Sequence, residues 1–231
     1  GTTMYDLSKD HIFIIAEMAN AHEGNIESAR AIVNAAAIAG ADAIKFQVFA
    51  PDELAVPSYS YYKLYEKLQM PPDAWATLIE LAHSLNLMVF TDVFGIDSAK
   101  MMCRLNVDGF MIHAADISNE YLLQYIASLK KPVLLSIGGS SWIDISNAVS
   151  SLKGAGSESI VLMHGFQSYP TSLSNAYLRR IELLRMKFDL KVGFASHVDG
   201  ASEEAITLPL MAASSGADVL EVHLTLDREK N

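Results

Sequence analysis

Short apolar runs recur along this chain roughly every 30 residues, the length of one strand-plus-helix unit. Most are rich in Val, Ile and Phe and lack the polar alternation of a half-exposed strand, so they predict strands that are buried on both faces. Gly, Pro, Asp or Asn residues separate them. Eight runs fit this description: Ile12–Glu17, Ala43–Val48, Leu87–Thr91, Gly109–His113, Pro132–Ser136, Ser159–His164, Lys191–Ser196 and Asp218–Thr225.

Helix-like segments lie between these runs: Ile26–Ala39, Pro72–Leu85, Asp97–Leu105, Asn119–Leu129, Trp142–Lys153, Ser172–Phe188 and Ala201–Ser215. Right-handed crossovers of eight such units close a barrel, so the sequence predicts an α/β fold, a TIM (β/α)8 barrel, as a single domain over residues 1–231. An open doubly wound sheet is the alternative, but no Gly-x-Gly-x-x-Gly follows the first run. The sequence stops at Asn231, soon after the eighth run, so the final helix of the barrel is expected to be missing.

Composition narrows the classes of function. The formal net charge of −10 argues against sequence-independent nucleic-acid binding, which needs clustered cations, but it leaves room for an anionic small substrate. No apolar run approaches the length of a transmembrane helix, and the N-terminus lacks the layout of a secretory signal. Cys103 is the only cysteine, as expected in a reducing compartment. We therefore expect a cytoplasmic protein with neither nucleic-acid nor membrane partners.

The segment Phe49–Pro71 is long for a connection between a strand and a helix, and it is rich in tyrosine. Long loops on the catalytic face of a barrel are often lids over the active site. A packed surface loop or a contact between subunits explains the tyrosines equally well.

Two histidines close successive apolar runs near the end of the chain. His197 ends Gly-Phe-Ala-Ser-His, and His223 ends Val-Leu-Glu-Val-His. Consecutive parallel strands are usually neighbours about 4.8 Å apart, so both imidazoles are expected side by side at the carboxyl edge of the sheet. Neutral imidazoles near carboxylates suit a divalent metal that keeps open positions for substrate. The alternative is that each is an ordinary core or rim histidine.

Lys45 lies within an apolar run, where an unpaired ammonium would cost several kcal/mol. Because side chains alternate along a strand, Lys45 and Gln47 share a face, and so do Glu221 and His223. Glu17 ends the first run at the same edge. An ion pair of Lys45 with Glu17 or Glu221 is one reading, and an anion-binding lysine in a metal site is the other.

Polar residues also follow the other runs. The sequence Ser-Ile-Gly-Gly-Ser-Ser, which begins at Ser136, offers backbone N–H groups to an anion or forms a tight turn. The further candidates for contact with a substrate are Asp92, His113, Asp116, Ser136, Gln167 and Tyr169.

These motifs, taken in order, are specific. They include Phe-Ile-Ile-Ala-Glu-Met, Ala-Gly-Ala-Asp-Ala-Ile-Lys-Phe-Gln, Lys-Lys-Pro-Val-Leu-Leu-Ser-Ile-Gly, Val-Gly-Phe-Ala-Ser-His and Val-Leu-Glu-Val-His-Leu-Thr-Leu-Asp-Arg. Over nearly its whole length the chain resembles the N-acetylneuraminate (sialic acid) synthase family, which includes spore-coat polysaccharide proteins and the synthases of legionaminic and pseudaminic acids.

The resemblance implies a TIM barrel followed by a small antifreeze-like domain, which this sequence lacks. It implies condensation of phosphoenolpyruvate with an open-chain N-acylated amino sugar, with Mn²⁺ or Mg²⁺ as cofactor and release of phosphate, in surface-polysaccharide biosynthesis. Family members are often dimers, so a homodimer is possible. By resemblance His197 and His223 bind the metal, Lys45 binds phosphoenolpyruvate, and Glu17 contacts the sugar. The remaining matches line the phosphoenolpyruvate pocket: Ser136, Gln167 and Tyr169.

The chain departs from the family pattern in the anion pocket. A phosphoenolpyruvate-binding lysine of the family is Met111 here, a serine is Ala114, another serine is Ala195, and Asp92 stands where a neutral donor is usual. One hypothesis is that a protonated His113, which has the same strand parity as Met111, partly replaces the missing lysine. Two alternatives to the synthase remain: a metal-dependent aldolase or lyase acting on another sugar or sugar phosphate, and an inactive barrel that serves as a binding module.

Overall fold

The computed structural model, which describes residues 11–165, 174 and 176–226, shows a closed barrel of eight parallel strands in sequential order. The predicted TIM barrel is confirmed. The strands are β1 Phe13–Glu17, β2 Ala43–Val48, β3 Met88–Val93, β4 Gly109–Ile112, β5 Val133–Ser136, β6 Ile160–His164, β7 Lys191–Ser196 and β8 Val219–His223. Each pairs with the next, and β1 closes the barrel by pairing with β8.

Helices surround the barrel within the described ranges. They are α1 Ile26–Ile38, α2 Pro51–Leu54, α3 Tyr62–Leu68, α4 Pro72–Ser84, α5 Ile96–Arg104, α6 Glu120–Ser128, α7 Trp142–Gly154, α8 Arg179–Phe188 and α9 Glu204–Ser214. Two predicted helix starts were too early. Helix α8 begins at Arg179 rather than in the Ser172 region, which lies outside the described residues, and turns occupy residues 200–203 before α9. None of these helices is long and apolar enough to cross a membrane.

The tyrosine-rich segment between β2 and α4 is folded rather than extended. It contains α2 and α3, and its aromatic rings pack on one another: Tyr59 stacks on Tyr65 at 6.3 Å between ring centroids, and Phe49 meets Tyr65 edge-on at 5.8 Å. Phe49 also contacts Phe94, the residue after β3. These contacts favour a packed segment against the carboxyl end of the barrel.

Two separate apolar cores hold the fold together. The larger lies between the outer face of the barrel and the helices, and the smaller fills the barrel interior with residues such as Phe13, Phe90 and Met163. Side chains of different size interlock there: a Cβ at Gly109 would collide with the ring of Phe90, so the glycine makes room for a fully buried aromatic residue.

The amino ends of three strands are fixed in the same way. Asp42, Asp108 and Asp218 immediately precede β2, β4 and β8, and each accepts a backbone N–H from a neighbouring strand. The donors are Ile14, Val89 and Val192, at 2.8, 2.7 and 2.9 Å. Each aspartate also pairs with a cationic or ionisable side chain: His11, His83 and Arg185. These contacts stabilise the amino end of the barrel, and active sites of such barrels lie at the carboxyl end.

Candidate active site

Four ionisable side chains meet inside the carboxyl mouth of the barrel. Glu17, Lys45, Asp92 and Glu221 come from β1, β2, β3 and β8, and each points inward because of its parity on the strand. All four are buried to within 3% of full burial of the side chain. Closing the barrel through the β1–β8 pair brings the first and last strands together, so residues from both ends of the sequence share one site.

Lys45 lies at the centre of this group. Its Nζ is 2.8 Å from Glu17 Oε2, 3.2 and 3.0 Å from the two oxygens of Asp92, and 3.2 Å from Glu221 Oε1. The sulfur of Met111 lies 3.0 Å from the same nitrogen. An ammonium has three N–H donors, so carboxylates alone can use all of them.

The charges in the group do not cancel. Burial by itself would lower the pKa of Lys45, but the neighbouring carboxylates of Asp92 and Glu221 outweigh it and raise the pKa above the ordinary lysine value. One ammonium among three carboxylates leaves the group two negative charges in excess when all are ionised. The predicted ion pairs of Lys45 with Glu17 and with Glu221 are thus both present. Asp92 is a third partner, although the sequence analysis predicted that it contacts a substrate.

Glu17 is fixed from a second side. Its Oε1 accepts the backbone N–H of Ala19 at 2.7 Å, while Oε2 faces Lys45. Ala19 has φ 45°, in the left-handed region that residues with a Cβ rarely occupy. Strained backbone of this kind persists where the surroundings over-determine it, and here it directs an N–H at a buried carboxylate of the site.

His197 and His223 are neighbours, as predicted. They lie at the ends of β7 and β8 with their ring centroids 5.1 Å apart. His197 is half-buried, whereas His223 is exposed. Loss of hydration among protein atoms lowers the pKa of both rings, that of His223 to about 4. Both imidazoles are therefore neutral at pH 7, the state in which histidine binds a metal.

The chemistry of these side chains fits a divalent cation. In the described ranges, His197 Nδ1 and Glu221 Oε2 are buried atoms without a hydrogen-bond partner. Glu221 shares a strand face with His223, so both atoms lie on the strands that carry the two histidines. Nitrogen and carboxylate donors next to an excess of negative charge suit Mn²⁺ or Mg²⁺. No three His, Cys, Asp or Glu side chains among the described residues stand in a ready-made ligand arrangement, so His197 and His223 would need solvent or substrate to complete the coordination.

Two cavities adjoin His223. One, of about 320 Å³, lies between the turn after β1 and the end of β8, lined by Met18–Ala21 and His223–Thr225. The other, of about 280 Å³, lies between the loop after β7 and β8, and it includes Ser196 and Asp199. The two cavities therefore border β8 at His223, one on the side of β1 and one on the side of β7.

The remaining predicted residues lie around the mouth at different depths. Gln47 is half-buried on β2 and in register with Asp92, and Ser136 is buried at the end of β5. Asp116 is half-buried in a short 3-10 turn after β4 and accepts the side-chain N–H of Asn119 at 3.2 Å. Gln167 and Tyr169 fall outside the described residues.

His113 reaches the mouth but does not suit the role of a cation. Its ring packs against Phe94 at 5.5 Å between centroids. Burial lowers its pKa despite the nearby Asp92, so the ring is neutral at pH 7. The prediction that a protonated His113 replaces the missing lysine is thus opposed by its surroundings.

Sequence reasoning missed Asp92 and Met111 as direct neighbours of Lys45. Strand parity could have predicted this contact, because Asp92 and Met111 are register partners on adjacent strands and lie on the same inward face as Lys45. His164, at the end of β6, is a buried histidine whose Nε2 contacts the backbone oxygen of Ala176 at 2.8 Å.

Comparison with known proteins agrees with this architecture. The sequence model of the NeuB family matches residues 32–231. The N,N'-diacetyllegionaminic acid synthase of Legionella pneumophila is 31% identical over 234 residues, which cover 94% of this chain and 64% of that protein. An uncharacterised protein of Methanocaldococcus jannaschii is 33% identical, over 94% of this chain and 63% of that protein. The chain thus spans slightly less than two thirds of the length of these relatives.

A solved structure resembles the barrel closely. The N-acetylneuraminic acid (sialic acid) synthetase of Leptospira borgpetersenii serovar Hardjo-bovis, crystallised in complex with citrate, has a TM-score of 0.90 and 31% identity. The match covers 96% of this chain and 76% of that one. The spore coat polysaccharide biosynthesis protein SpsE of Bacillus subtilis has a TM-score of 0.83 and 30% identity, over 94% of this chain and 60% of that one. From the match of sequence and of fold together, we conclude that this chain belongs to the NeuB family.

Proposed function

We propose that this chain forms the barrel of an enzyme that condenses phosphoenolpyruvate with an N-acylated amino sugar and releases phosphate. The observation that carries the proposal is the convergence of Glu17, Lys45, Glu221, His197 and His223 at one mouth of the barrel in a member of the NeuB family. Relatives named for the synthesis of sialic, legionaminic and pseudaminic acids support the reaction class.

The reaction that we propose joins two carbon atoms and breaks one C–O bond. The methylene carbon of phosphoenolpyruvate attacks the aldehyde carbon of the sugar, and the aldehyde oxygen takes up a proton. Water then adds at C2 of the former phosphoenolpyruvate, loses a proton, and the bond from C2 to the phosphate oxygen breaks. Orientation of the two reactants in the mouth supplies much of the rate, because it replaces a bimolecular encounter.

The chain's own residues divide these tasks in the proposal. Ser136, at the end of β5, and the loop that follows it bind the phosphate. Glu221 takes the proton from the attacking water at Oε2, the oxygen that has no hydrogen-bond partner in the described ranges. Glu17, fixed by the Ala19 N–H, orients the sugar.

His197 and His223 would hold Mn²⁺ or Mg²⁺ in this enzyme. When bound, such an ion polarises the sugar carbonyl as a Lewis acid and offsets the excess negative charge of the mouth. The neutral state of both imidazoles at pH 7 favours this role. We place the reaction in the cytoplasm, because the lone Cys103 suits a reducing compartment. A homodimer, which the family resemblance implies, stays a prediction.

The test is consumption of phosphoenolpyruvate by the Mn²⁺-loaded protein with N-acetylated and di-N-acetylated amino sugars, followed by release of inorganic phosphate. We expect sugar-dependent phosphate release that is lost in His197→Ala. The protein for this assay is the full chain in which the barrel occurs, because the relatives are longer. Metal binding without phosphate release from any sugar would instead favour an aldolase or lyase, and absence of both would favour a binding module.

A further inference from the structure

We propose that Asp92 determines ligand specificity by occupying, with its own carboxylate, the anion-binding position of Lys45. A small carboxylate or phosphate ligand would reach Lys45 only by displacing Asp92. The inference rests on the proposed function in one respect, namely that phosphoenolpyruvate is the natural anion. The occupation of Lys45 by a carboxylate of the chain itself does not depend on that identity.

The geometry is that of an anion bound to a lysine. Both oxygens of Asp92 lie within hydrogen-bond distance of Lys45 Nζ, at 3.2 and 3.0 Å. In the described part of the chain, Lys45 is the sole hydrogen-bond partner of this carboxylate. Asp92 thus has no other group that holds it in the mouth, whereas Glu17 is also held by the backbone of Ala19.

The strand neighbours of Asp92 also distinguish it from Glu17 and Glu221 as the carboxylate that blocks an anion. It stands on β3 in register with Gln47 on one side and Met111 on the other, all three at the mouth end of their strands. Met111 brings its sulfur to 3.0 Å from Nζ, so the side facing β4 offers no second cation to an incoming anion. The ligand position at this side of Lys45 is therefore filled and negatively charged.

The negative charge of Asp92 lowers the affinity of the site for anionic ligands. With Asp92 ionised, the group of Glu17, Asp92, Glu221 and Lys45 carries two excess negative charges, and an anionic ligand is repelled as well as blocked. Removal of the charge at Asp92 reduces the excess to one. Glu17 and Glu221 still pair with Lys45 at 2.8 and 3.2 Å, so the ammonium keeps partners and the fold keeps its ion pair.

The experiment compares Asp92→Asn, Asp92→Ser and the original chain by calorimetric titration with phosphoenolpyruvate, pyruvate and inorganic phosphate, in the presence of Mn²⁺. We expect both variants to bind phosphoenolpyruvate at least about tenfold more tightly, equivalent to about 1.4 kcal/mol. Comparison of pyruvate with phosphate distinguishes a carboxylate subsite from a phosphate subsite.

Asp97→Asn is the matched control, because Asp97 is exposed at the start of α5 and pairs only with Lys100 among the described residues. It removes the same charge and should leave all three affinities unchanged.

The outcomes separate this inference from the proposed function. Unchanged or weaker anion binding in both Asp92 variants, with thermal unfolding showing that they are folded, overturns the role of Asp92. The same tightening in Asp97→Asn also overturns it, since net charge alone would then explain the effect. Tighter binding of phosphoenolpyruvate by the Asp92 variants without phosphate release from any amino sugar supports the role of Asp92 while the proposed reaction fails.

Discussion

Lys45 and Asp92 form a bidentate ion pair across adjacent strands inside the barrel mouth, with both side chains within 3% of full burial. The pair joins β2 to β3, and the contacts of the same ammonium with Glu17 and Glu221 extend it to β1 and β8. One buried cation therefore links four strands of the barrel and also sets the charge that a substrate meets.

Replacement of Lys45 by Met should destabilise the fold strongly. Three buried carboxylates would lose the one cation that contacts them among the residues that the structure describes, and breaking a buried ion pair on one side costs about 3–5 kcal/mol. Urea unfolding at pH 7 measures the loss. Lys100→Met is the control, because Lys100 forms an exposed pair with Asp97 at 3.7 Å and should change stability by less than about 1 kcal/mol. Equal stability of the two variants would contradict a structural role for the Lys45 cluster.

Mn²⁺ should raise the thermal unfolding midpoint of the protein, because a ligand that binds only the folded state stabilises it by mass action. His197→Ala and His223→Ala should each abolish most of this shift. His83→Ala serves for comparison: His83 pairs with Asp108 at the opposite end of the barrel, so its variant should keep the Mn²⁺ shift. A full shift in both His197→Ala and His223→Ala would exclude these histidines as ligands. The thermal unfolding midpoint can be measured without any assay of catalytic activity.

Acid should destabilise the protein partly through His22. This buried ring meets Trp75 edge-on, and its Nδ1 accepts the backbone N–H of Gly24 at 2.9 Å. Burial lowers its pKa from 6.5 to about 4. Between these two values the unfolded chain binds a proton that the folded chain does not, so stability falls as the pH drops from about 6.5 to 4.

A His22→Asn variant tests this contribution, since an amide oxygen can accept the Gly24 N–H but does not titrate. From pH 7 to pH 4 the variant should lose less free energy of unfolding than the original chain, by on the order of 2 kcal/mol. Urea unfolding at several pH values supplies the comparison. Parallel pH profiles for the two proteins would show that His22 titrates normally in the fold.

Glu53 should act as a clamp between the segment after β2 and the start of α5. Its two carboxylate oxygens accept the backbone N–H groups of Ala50 and Ser98, each at 3.0 Å. A Cβ at Gly95 would collide with this carboxylate. Glu53→Ala and Gly95→Ala should therefore each destabilise the fold by about 1–2 kcal/mol, through loss of a helix-capping interaction.

The double variant distinguishes this clamp from two independent effects. If Gly95→Ala acts by displacing Glu53, the losses should not add, and the double variant should resemble Glu53→Ala alone. Additive losses, measured by chemical unfolding, would show that Gly95 serves another purpose. The conformation of Gly95 is extended, so backbone strain does not complicate the comparison.

Local patterns predicted the elements well because the barrel repeats one unit. Continuous apolar runs such as Ala43–Val48 and Lys191–Ser196 coincide with β2 and β7. Strand parity placed Lys45 with Gln47 and Glu221 with His223 on shared faces. Local signals were weaker where the chain leaves this repeat. The segment that holds the two short helices after β2 packs through residues such as Phe49 and Phe94, which no periodicity encodes. Turns at residues 200–203 delay the start of α9.

The sequence by itself determined the succession of strands and helices, the shared strand faces of the ionisable residues, and the neighbouring positions of His197 and His223. These follow from side-chain periodicity and from the adjacency of consecutive parallel strands. Tertiary structure alone decided that both carboxylate oxygens of Asp92 contact Lys45, and that burial lowers the pKa of His113. Both outcomes depend on distances and burial across different strands, because the folded barrel brings three carboxylates from three other strands around one ammonium.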